Sequence, residues 1–392
     1  MNSYQTSKWE WVALEDAVEI CDYLRKPVNS KERAQRVANK REDELYPYYG
    51  ATGQVGYIDS YLSDGEYVLL GEDGAPFLDP FAKKAYLIKG KGWVNNHAHV
   101  LKSKLNNKFL CYYLNQVDYN GLVTGTTRYK LTQAAMKRIL VPTPDLVEQE
   151  RIVSKIEELF SKLDASVAEL KTAKEKLKVY RQAVLKEAFD AVSESPRAKI
   201  QHICEYIIDC PHSTPKWTNA GKICLRTTNF KRGYLDLREK NYVSEETFNA
   251  RNSRLIPASG DVLYSREGAI LGIACIIPAG LSVCLGQRMM LLRTNEENFN
   301  RFLMHYLNSP AVTNYVASIT GGSASPHVNV RDIKNFLIPV PKLDVQKRTV
   351  LKIEERISIC DDSERSIDTA IQQAEALRQS ILKQAFEGRL IE

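Results

Sequence analysis

PTPDLVEQERIVSKIEE at residues 142–158 recurs as PVPKLDVQKRTVLKIEE at residues 339–355, an offset of 197 residues. The ungapped match extends over residues 142–189 and 339–386, and 21 of its 48 positions are identical. Both copies begin with two prolines and then continue without proline or glycine, which is typical of a long helix. Chance cannot give a match of this length, so the chain contains an internal repeat of about half its length.

Weaker similarity continues upstream of each repeated helix. FLCYYLN from Phe109 matches FLMHYLN from Phe302 at an offset of 193 residues. The change of offset indicates short insertions, which belong in loops. The chain is therefore predicted to consist of a variable domain at residues 1–144, a long helix at 145–190, a second variable domain at 191–341 and a second long helix at 342–392.

Apolar and small residues recur in both helices at alternating spacings of four and three, typical of a coiled-coil seam. Asp145 and Glu148 are placed to cap the first helix. Neither helix could bury its row of apolar residues alone, so we expect the two helices to pair within the chain, in either orientation. The alternative is a coiled coil between two chains of a dimer. A helix of about 45 residues would be a rigid spacer of roughly 68 Å. The predicted seam includes Ile156, Leu163, Leu170, Leu177, Ile353, Ile367, Leu377 and Ile381.

The composition is that of an ordinary globular protein, since 44% of the 392 residues are hydrophobic and 26% are charged. The net charge of +6 permits a polyanionic partner without requiring one. The eight cysteines show no paired spacing, which favours free thiols in a reducing cytoplasm. The uncharged stretch at residues 268–286 contains Pro278 and glycines, so it predicts buried strands joined by a turn, not a membrane helix.

Each variable domain contains short strand-like runs between turns, which predicts an α/β (α+β) fold with small, irregular mixed sheets. The loops are rich in basic, amide and hydroxyl side chains, which suit contacts to phosphates and base edges. Taken singly, such a residue is more often solvated or salt-bridged, but the same loop recurs in both copies, which favours a shared function. The candidate DNA-contacting residues are Tyr49, Thr52, Gln54, Thr126, Thr127, Arg128, Lys130, Arg226, Thr227, Asn229, Lys231, Arg266, Gln287, Arg288, Ser323, Ser325 and His327.

Several enzyme motifs are missing from the sequence. It has no GxxxxGK[ST] phosphate loop, no [DN]PP[YF] tetrapeptide of amino-methyltransferases and no nuclease-like acidic cluster shared by the two copies. His97 and His99 are the only closely spaced histidines, and the second copy has Arg288 and Met290 instead. We therefore predict no catalytic residue and no metal site in this chain.

With these features the chain resembles, over nearly all its residues, the specificity subunit of type I restriction-modification systems. The most specific motifs are the two P-x-P-x-L-x-x-Q-x-R-x-V-x-K-I-E-E segments, the R-Q-x-x-L-K-x-A-F endings at Arg181 and Arg378, and LKQAFEGRL at Leu382–Leu390. Segments that resemble the family's target recognition domains are YPYYGATGQVGYID at 46–59, IIDCPHSTPKW at 207–217 and GDVLYSREGAILG at 260–272.

The resemblance implies two target recognition domains separated by two antiparallel helices, with pseudo-two-fold symmetry. Each domain would read one half of a bipartite, asymmetric site in double-stranded DNA. The helices would fix the unread gap and dock two methyltransferase subunits. Those subunits would bring S-adenosylmethionine and methylate adenine at N6, and motor-nuclease restriction subunits would bring ATP and Mg. This chain itself would hold no cofactor and would contact no membrane.

Two other functions remain open at this point. One is a DNA methyltransferase or fused nuclease with unrecognised motifs, and the other is a coiled-coil scaffold without DNA contact. If the chain does read DNA, we expect Arg226 and Arg266 to contact bases and Lys130 and Lys231 to contact phosphates. The target sequence cannot be deduced from residue types, because base recognition depends on loop geometry.

Overall fold

The structure, a computed structural model, describes residues 9–321 and 326–391 of the chain. The chain divides into two compact units. The first unit spans Met1–Lys171 and Ile367–Glu392, and the second spans Thr172–Ser366. Each unit therefore contains one variable domain together with a part of both long helices.

Within its described residues, the first unit contains ten strands, four short α-helices, the beginning of the first long helix and the end of the second. The strands are β1 (Trp11–Ala13), β2 (Val18–Ile20), β3 (Tyr46–Tyr49), β4 (Gln54–Ile58), β5 (Ser63–Gly71), β6 (Ala85–Val94), β7 (Ala98–Ser103), β8 (Val123–Thr124), β9 (Lys130–Leu131) and β10 (Leu140–Pro142). The helices are α1 (Leu14–Ala17), α2 (Ser30–Val37), α3 (Asn107–Gln116), α4 (Gln133–Lys137) and α5 (Leu146–Asp190).

The second unit follows the same plan with more and shorter strands. They are β11 (Arg197–Lys199), β12 (Cys204–Asp209), β13 (Trp217–Thr218), β14 (Lys222–Leu225), β15 (Phe230–Lys231), β16 (Tyr234–Leu235), β17 (Tyr242–Val243), β18 (Val262–Ser265), β19 (Ala274–Ile276), β20 (Val283–Leu285), β21 (Met289–Thr294) and β22 (Leu337–Pro339). The helices are α6 (Ile200–Ile203), α7 (Glu245–Arg251), α8 (Asn300–Leu307), α9 (Pro310–Thr320), α10 (Val330–Lys334) and α11 (Leu343–Phe386).

The sheets are small and mixed, as predicted. In the first unit, six strands pair in the order β2-β7-β5-β6-β3-β4, and β3 runs parallel to β6 while the other pairs are antiparallel. In the second unit the sheets β12-β21-β18-β19 and β13-β17-β14-β20 contain one parallel pair, β14 with β20. The stretch at 268–286 forms β19 and β20, with Gly280 at a φ of 75° in the turn, so the prediction of buried strands is confirmed.

Each domain begins and ends on one two-stranded antiparallel ribbon next to a long helix. β1 pairs with β10 through Trp11 and Pro142, and β11 pairs with β22 through Arg197 and Pro339. The two prolines can occupy these positions because each closes a short edge strand. The chain therefore enters and leaves each domain at the same place.

A buried glutamine near the start of each long helix ties that helix to its domain. Gln149 accepts a hydrogen bond from the amide of Asn106 (2.8 Å) and donates to the carbonyl of Pro144 (2.7 Å). Gln346 accepts from the amide of Phe299 (2.8 Å) and donates to the carbonyl of Pro341 (2.9 Å) in the same way. These bonds explain why the sequence repeats the glutamine together with the prolines. Asp145 caps α5 as expected, since it accepts from the amide of Glu148 (2.8 Å).

The two long helices run antiparallel, as seen independently in each unit. In the first unit, Ile152 and Ile156 near the start of α5 share a hydrophobic core with Leu382 and Phe386 near the end of α11. In the second unit the roles are exchanged. Residues at the end of α5, Leu185 and Phe189, share a core with Val350 and Ile353 from the start of α11.

The same interhelical ion pair occurs in both units. Arg378 pairs with Asp164 in the first unit, and Arg181 pairs with Asp361 at 2.6 Å in the second. The partners are related by the repeat offset of 197 residues. Arg181 also lies 2.8 Å from Glu364. The repeat has an arginine at this position in both copies, and each arginine forms an ion pair with the facing helix.

The predicted seam is wrong at Leu377, whose side chain is 47% exposed. Ile156, Ile353 and Ile381 are buried. The other predicted seam residues, Leu163, Leu170, Leu177 and Ile367, are partly buried. The difference arises because each helix end packs against a domain as well as against the other helix, so that adjacent pairs of residues are buried there. The buried face at the helix ends is therefore wider than the single row of residues in a coiled-coil seam. Leu377 lies outside this buried face.

All eight cysteines lie among the described residues and are free thiols. Burial raises the pKa of the Cys111 and Cys204 thiols to about 12, which keeps them protonated and inert. Among residues 9–321 and 326–391, no helix combines the length and the apolar character that crossing a bilayer needs.

Candidate nucleic-acid interface

In the first unit, the polar loop between β8 and β9 is fixed to the acidic turn that follows β5. The amide of Leu131 donates to the carbonyl of Glu72 (2.8 Å), and the amide of Gly74 donates to the carbonyl of Tyr129 (3.0 Å). Gly74 has a φ of 79°, a conformation that glycine adopts without strain. Lys130 lies 3.5 Å from the Glu72 carboxylate. The loop is therefore held over the end of the central strand, where its side chains remain accessible.

A groove of about 710 Å³ opens beside this loop. It brings together residues from the β3–β4 turn, the β6–β7 turn and the polar loop, which are distant in sequence. Its lining includes Thr52, Val55, Asn95, His97, Thr127 and Arg128. Three of the predicted contact residues thus share one surface.

Arg128 is the most prominent cation of this groove and is oriented by an acidic neighbour. Its Nε donates to Oδ1 of Asp73 at 2.7 Å, and its Nη2 lies 3.5 Å from Nδ1 of His97. The arginine side chain remains 60% exposed. A guanidinium held through Nε keeps terminal N–H groups for a ligand, which is the geometry that suits a guanine edge or a phosphate.

The predicted contact residues of the first unit differ in their exposure. Thr52, Gln54 and Thr126 are exposed. Gln54 donates to the carbonyl of Gly56 at 3.2 Å, which occupies one of its two N–H donors. Tyr49 is partly buried, and this burial raises the pKa of its phenol. Tyr49 therefore supports the β3–β4 turn more than it presents a hydroxyl.

A neighbouring cavity of about 430 Å³, which the sequence did not predict, shares Val55, Asn95 and His97 with the groove. Helix α2 supplies Arg33 to this cavity, and the Arg33 guanidinium lies 4.8 Å from the ring centroid of Tyr48. A cation stacked on an aromatic ring is held in place without a carboxylate and keeps its charge available. The signal in the sequence is the basic character of this short helix.

The second unit anchors its polar loop through the same two backbone contacts. The amide of Val328 donates to the carbonyl of Arg266 (2.8 Å), and the amide of Gly268 donates to the carbonyl of Pro326 (3.0 Å). His327 is exposed, and its backbone forms an isolated antiparallel β-bridge with Glu267. Pro326 and Val328 are thus in the same position relative to the strand β18 as Tyr129 and Leu131 are to β5. Ser323 and Ser325, which were predicted to contact DNA, lie outside the described residues.

Arg266 does not fit the role of a base-reading residue. Its side chain is only 7% exposed, and its guanidinium pairs with Asp209 at 2.8 Å and with Glu267 at 2.5 Å. Two carboxylates in a partly buried site occupy the donors that a base edge would need. The residue type alone could not reveal this, because Asp209 lies on a different strand. Arg266 is a structural cation beneath the loop.

Replacing Arg266 by Met is expected to destabilise the second unit by about 1–3 kcal/mol, because two carboxylates lose their shared partner. Arg288→Met is the matched control. Arg288 is exposed, so its loss should change stability by less than about 0.5 kcal/mol. Hydrogen exchange of β12 and β18 in increasing urea measures both effects. Equal protection in the two variants would contradict the assignment of Arg266.

Asn229, another predicted contact residue, has a structural role in the turn before β15. It is buried, accepts from the amide of Arg226 at 2.9 Å, and donates to the carbonyls of Asp236 (3.0 Å) and Glu239 (2.9 Å). These bonds satisfy its amide group and fix the turn in which Thr227 lies partly buried.

Arg226 itself is exposed and directly follows β14, an inner strand of the second sheet of this unit. Its guanidinium lies 5.7 Å from the ring centroid of Trp217, which is itself 41% exposed. An exposed arginine beside an exposed aromatic ring is a common arrangement for contacts to nucleic acid. Among the predicted contacts of the second unit, Arg226 therefore keeps the geometry expected of a base-reading residue.

The turn between β20 and β21 presents Gln287 and Arg288. Gln287 donates to the carbonyl of His212, and its Oε1 lies 3.5 Å from the hydroxyl of Thr214. Arg288 is exposed and has a φ of 68°, a strained conformation for a residue with a Cβ. Strain at an exposed arginine in a loop is a reason to suspect function.

Arg251 is a residue that sequence analysis missed. It donates to the carbonyls of Leu285 (2.6 Å), Gly286 (2.8 Å), Ser213 (3.1 Å) and Pro211 (3.2 Å). Four carbonyls from two loops therefore share one guanidinium, which joins the loop before β13 to the turn that carries Gln287. No motif in the sequence marks such a clamp.

Lys231 lies apart from these loops. It lines a cavity of about 640 Å³ together with Lys178 and Arg181 of α5, and no other predicted contact residue lines that cavity. In the described residues, no group of three His, Cys, Asp or Glu side chains is placed to hold a metal ion. The chemistry that these surfaces offer is hydrogen bonding and cationic contact, which fits binding of a polyanion.

Comparison with known proteins identifies what the chain is similar to. The family model described as the type I restriction modification DNA specificity domain matches residues 6–176 and 200–373. A chain from Haemophilus influenzae that carries the name of a type I restriction enzyme specificity subunit is 27% identical over 386 residues, covering 94% of this chain and 93% of that protein. The EcoBI specificity subunit of Escherichia coli is 24% identical over 322 residues, covering 74% and 67% respectively.

Solved structures have the same fold. A chain from a structure of the type I R-M system aligns with a TM-score of 0.68 at 19% identity, covering 97% of this chain and 98% of that chain. The HsdS subunit from Thermoanaerobacter tengcongensis aligns with a TM-score of 0.51 at 19% identity, covering 97% of both chains. The alternative of a DNA methyltransferase or fused nuclease finds no support, because the matched family and relatives are specificity proteins.

Proposed function

Because the chain belongs to the family of type I restriction-modification DNA specificity domains and contains two copies of the domain, we propose that each unit reads one half of a bipartite DNA site. The observation that supports this most directly is the repeated loop anchor. Both units fix a polar loop at the end of the central strand by two matching backbone hydrogen bonds. The anchor is shared and the side chains differ, as expected for two readers of different sequences.

The relatives are specificity subunits, and this chain serves recognition, not catalysis. In this proposal the paired helices fix the gap between the two half-sites and dock two methyltransferase subunits. S-adenosylmethionine, and the ATP and Mg used by restriction subunits, would be bound by those partners. The loops and grooves of this chain would hold the duplex while a partner extrudes an adenine for methylation.

The proposal is tested by selection of DNA from a random pool. The full chain, purified together with its methyltransferase partners, is incubated with duplexes of random sequence, and the bound fraction is sequenced. The expected outcome is one asymmetric motif made of two short blocks separated by an unread gap of fixed length. A single continuous motif, or enrichment that depends only on base composition, would contradict the two-reader proposal.

Arg226→Ala is expected to relax the preference at one base position by about 1–3 kcal/mol. Arg226→Lys is the matched control for charge, and should relax the same position because lysine lacks the paired donors of the guanidinium. Lys130→Ala should instead weaken binding to all sequences alike and reduce the salt dependence of the affinity. Affinities for a panel of single-base variants at two salt concentrations measure these effects. A uniform loss in Arg226→Ala that Arg226→Lys restores would assign Arg226 to phosphate.

A further inference from the structure

Gly74 in the first unit and Gly268 in the second occupy equivalent positions beside the polar loop. Gly74 donates its amide to the carbonyl of Tyr129 at 3.0 Å. Gly268 donates its amide to the carbonyl of Pro326 at 3.0 Å as well. Both glycines have a positive φ, 79° and 86°, in the region that favours glycine. The two glycines therefore mark the same point on the surface of each unit.

An arginine guanidinium lies against each of these glycines. A Cβ added at Gly74 would lie 3.2 Å from Nε of Arg128. A Cβ added at Gly268 would lie 3.2 Å from Nη1 of Arg288. Heavy atoms in ordinary contact are about 3.5–4.0 Å apart, so a methyl group at either position would push the guanidinium away. Both arginines are exposed, so each unit presents one guanidinium at the same point of its surface.

The two arginines reach this point from different segments. Arg128 belongs to the polar loop, whereas Arg288 belongs to the turn between β20 and β21. The first unit has His97 at the position of Arg288, since the carbonyl of His97 accepts from the amide of Glu72 at 2.8 Å. The carbonyl of Arg288 accepts from the amide of Arg266 at 3.0 Å in the same way. His97 itself lies beside the loop arginine, with 3.5 Å between its Nδ1 and Nη2 of Arg128.

The sequence of the second polar loop has no arginine at the position of Arg128. Arg128 directly precedes Tyr129, whereas the residue that directly precedes Pro326 is Ser325, which is uncharged. Alignment of the repeat therefore does not pair Arg128 with Arg288. The structure pairs them nevertheless, because each supplies the guanidinium that lies against the equivalent glycine.

Both guanidinium groups are held in one orientation. Nε of Arg128 donates to Oδ1 of Asp73 at 2.7 Å. Arg288 has a φ of 68°, which a residue with a Cβ adopts only at a cost. A phosphate needs no such orientation, because even a lysine binds it as a point charge. Guanine presents N7 and O6 side by side, and a planar guanidinium binds both with paired N–H groups. A fixed guanidinium is therefore better suited to a guanine edge than to a phosphate.

We infer that Arg128 and Arg288 are equivalent base-reading residues of the two units, and that each binds the edge of a guanine in its own half-site. The inference rests on the proposed function, because it requires that each unit reads DNA. It adds a chemical expectation for the target, since each half-site should contain a G·C pair at the position that the arginine reads.

The test uses the full chain with its methyltransferase partners, first in the random-pool selection and then with single-base variants of the selected DNA. The wild-type motif should have two blocks, each with a G·C pair. Arg128→Met should reduce the preference for that pair in one block by about tenfold or more, and Arg288→Met should do so in the other block. Arg128→Lys and Arg288→Lys should not restore the preference, because lysine lacks the paired donors in one plane.

Four results would overturn the inference. They are a block without a G·C pair, a loss of preference in the same block for both Met variants, an unchanged preference in either Met variant, and a uniform loss of affinity that the Lys variants restore. The last result would assign the arginines to phosphates. A wild-type selection that yields no motif of two blocks would instead contradict the proposed function.

The glycines provide a second test that keeps both arginines. Gly74→Ala and Gly268→Ala should each weaken the preference at the same single position as the Met variant of their own unit, because the added Cβ displaces the guanidinium. Gly121→Ala and Gly280→Ala are the matched controls. Their φ angles are 76° and 75°, so the backbone strain is comparable, but an added Cβ would have no atom within 4 Å. The controls should keep the wild-type preference, and equal preferences in the two kinds of variant would overturn the inference.

Discussion

Replacing residues 1–144 by the corresponding domain of another family member is expected to change one half of the recognised DNA sequence and leave the other half unchanged. The domain enters at β1 and leaves at β10, which are paired with each other from Trp11 to Pro142. A cut near Pro142 therefore lies at the end of the β1–β10 ribbon, and both of its strands stay with the exchanged domain. The loops and grooves that line the proposed reading surface move together with the exchanged segment.

The exchange must retain the contacts that join the domain to the helices. Phe109 and Tyr113 of α3 pack against Phe386, and Gln149 accepts from the amide of Asn106. A donor domain with aromatic residues at the positions of Phe109 and Tyr113 should make the same contacts with Phe386. The reciprocal exchange uses residues 191–341 and should change only the other half-site.

Selection from a random duplex pool, or methylome sequencing of cells that carry each chimera, gives both half-sites at once. The original half-site should lose its preference by a factor of about 10³ or more, as for specific against non-specific DNA. A chimera that binds DNA but changes both half-sites, or neither, would be incompatible with two independent readers. Wild-type protein passed through the same selection is the control for the unchanged half.

The repeat, the long helices and the mixed character of the sheets could all be predicted from the sequence, because they depend on patterns along the chain. The identical glutamines illustrate why this succeeds. Gln149 and Gln346 each bond to a proline five residues upstream and to a domain amide, so one of the two bonds lies within the repeated segment itself. The repeated Arg181 and Arg378 are likewise fixed by helix geometry.

The roles of individual loop residues could not be predicted, because they depend on partners that are distant in sequence. From its residue type Arg266 could read a base, but in the structure its guanidinium pairs with Asp209. From its residue type Asn229 could also bond to a base edge, but its side-chain amide already makes three hydrogen bonds to the backbone. Leu377 has the spacing of a seam residue, yet the wider apolar face at the helix end leaves it 47% exposed. Residue type and period specify what a side chain can do, and only the fold determines whether it is available.

Phe386→Ala is expected to destabilise the first unit by about 3–5 kcal/mol, the cost of truncating a buried aromatic side chain. The Phe386 side chain is only 3% exposed, and its ring centroid lies 5.2 Å from those of both Phe109 and Tyr113. Alanine would remove both edge-to-face contacts and leave a cavity between α11 and α3. Leu377→Ala, nine residues earlier on the same helix, should change stability by less than about 0.5 kcal/mol because this leucine is 47% exposed and lies outside the core.

The repeat provides a second comparison, because Phe189 occupies the equivalent position in the second unit, 5.2 Å from Phe302 and 5.0 Å from Tyr306 between ring centroids. Hydrogen exchange in urea should show early opening of β5 and β7 in Phe386→Ala and of β18 and β21 in Phe189→Ala. Because the chain has two units, each variant is expected to open the strands of its own unit first. If Phe386→Ala and Leu377→Ala unfolded at the same urea concentration, the aromatic junction would not be what joins the helix to its domain. The contact of α11 with the first domain would then depend on its other core residues, Ile381, Leu382 and Ala385.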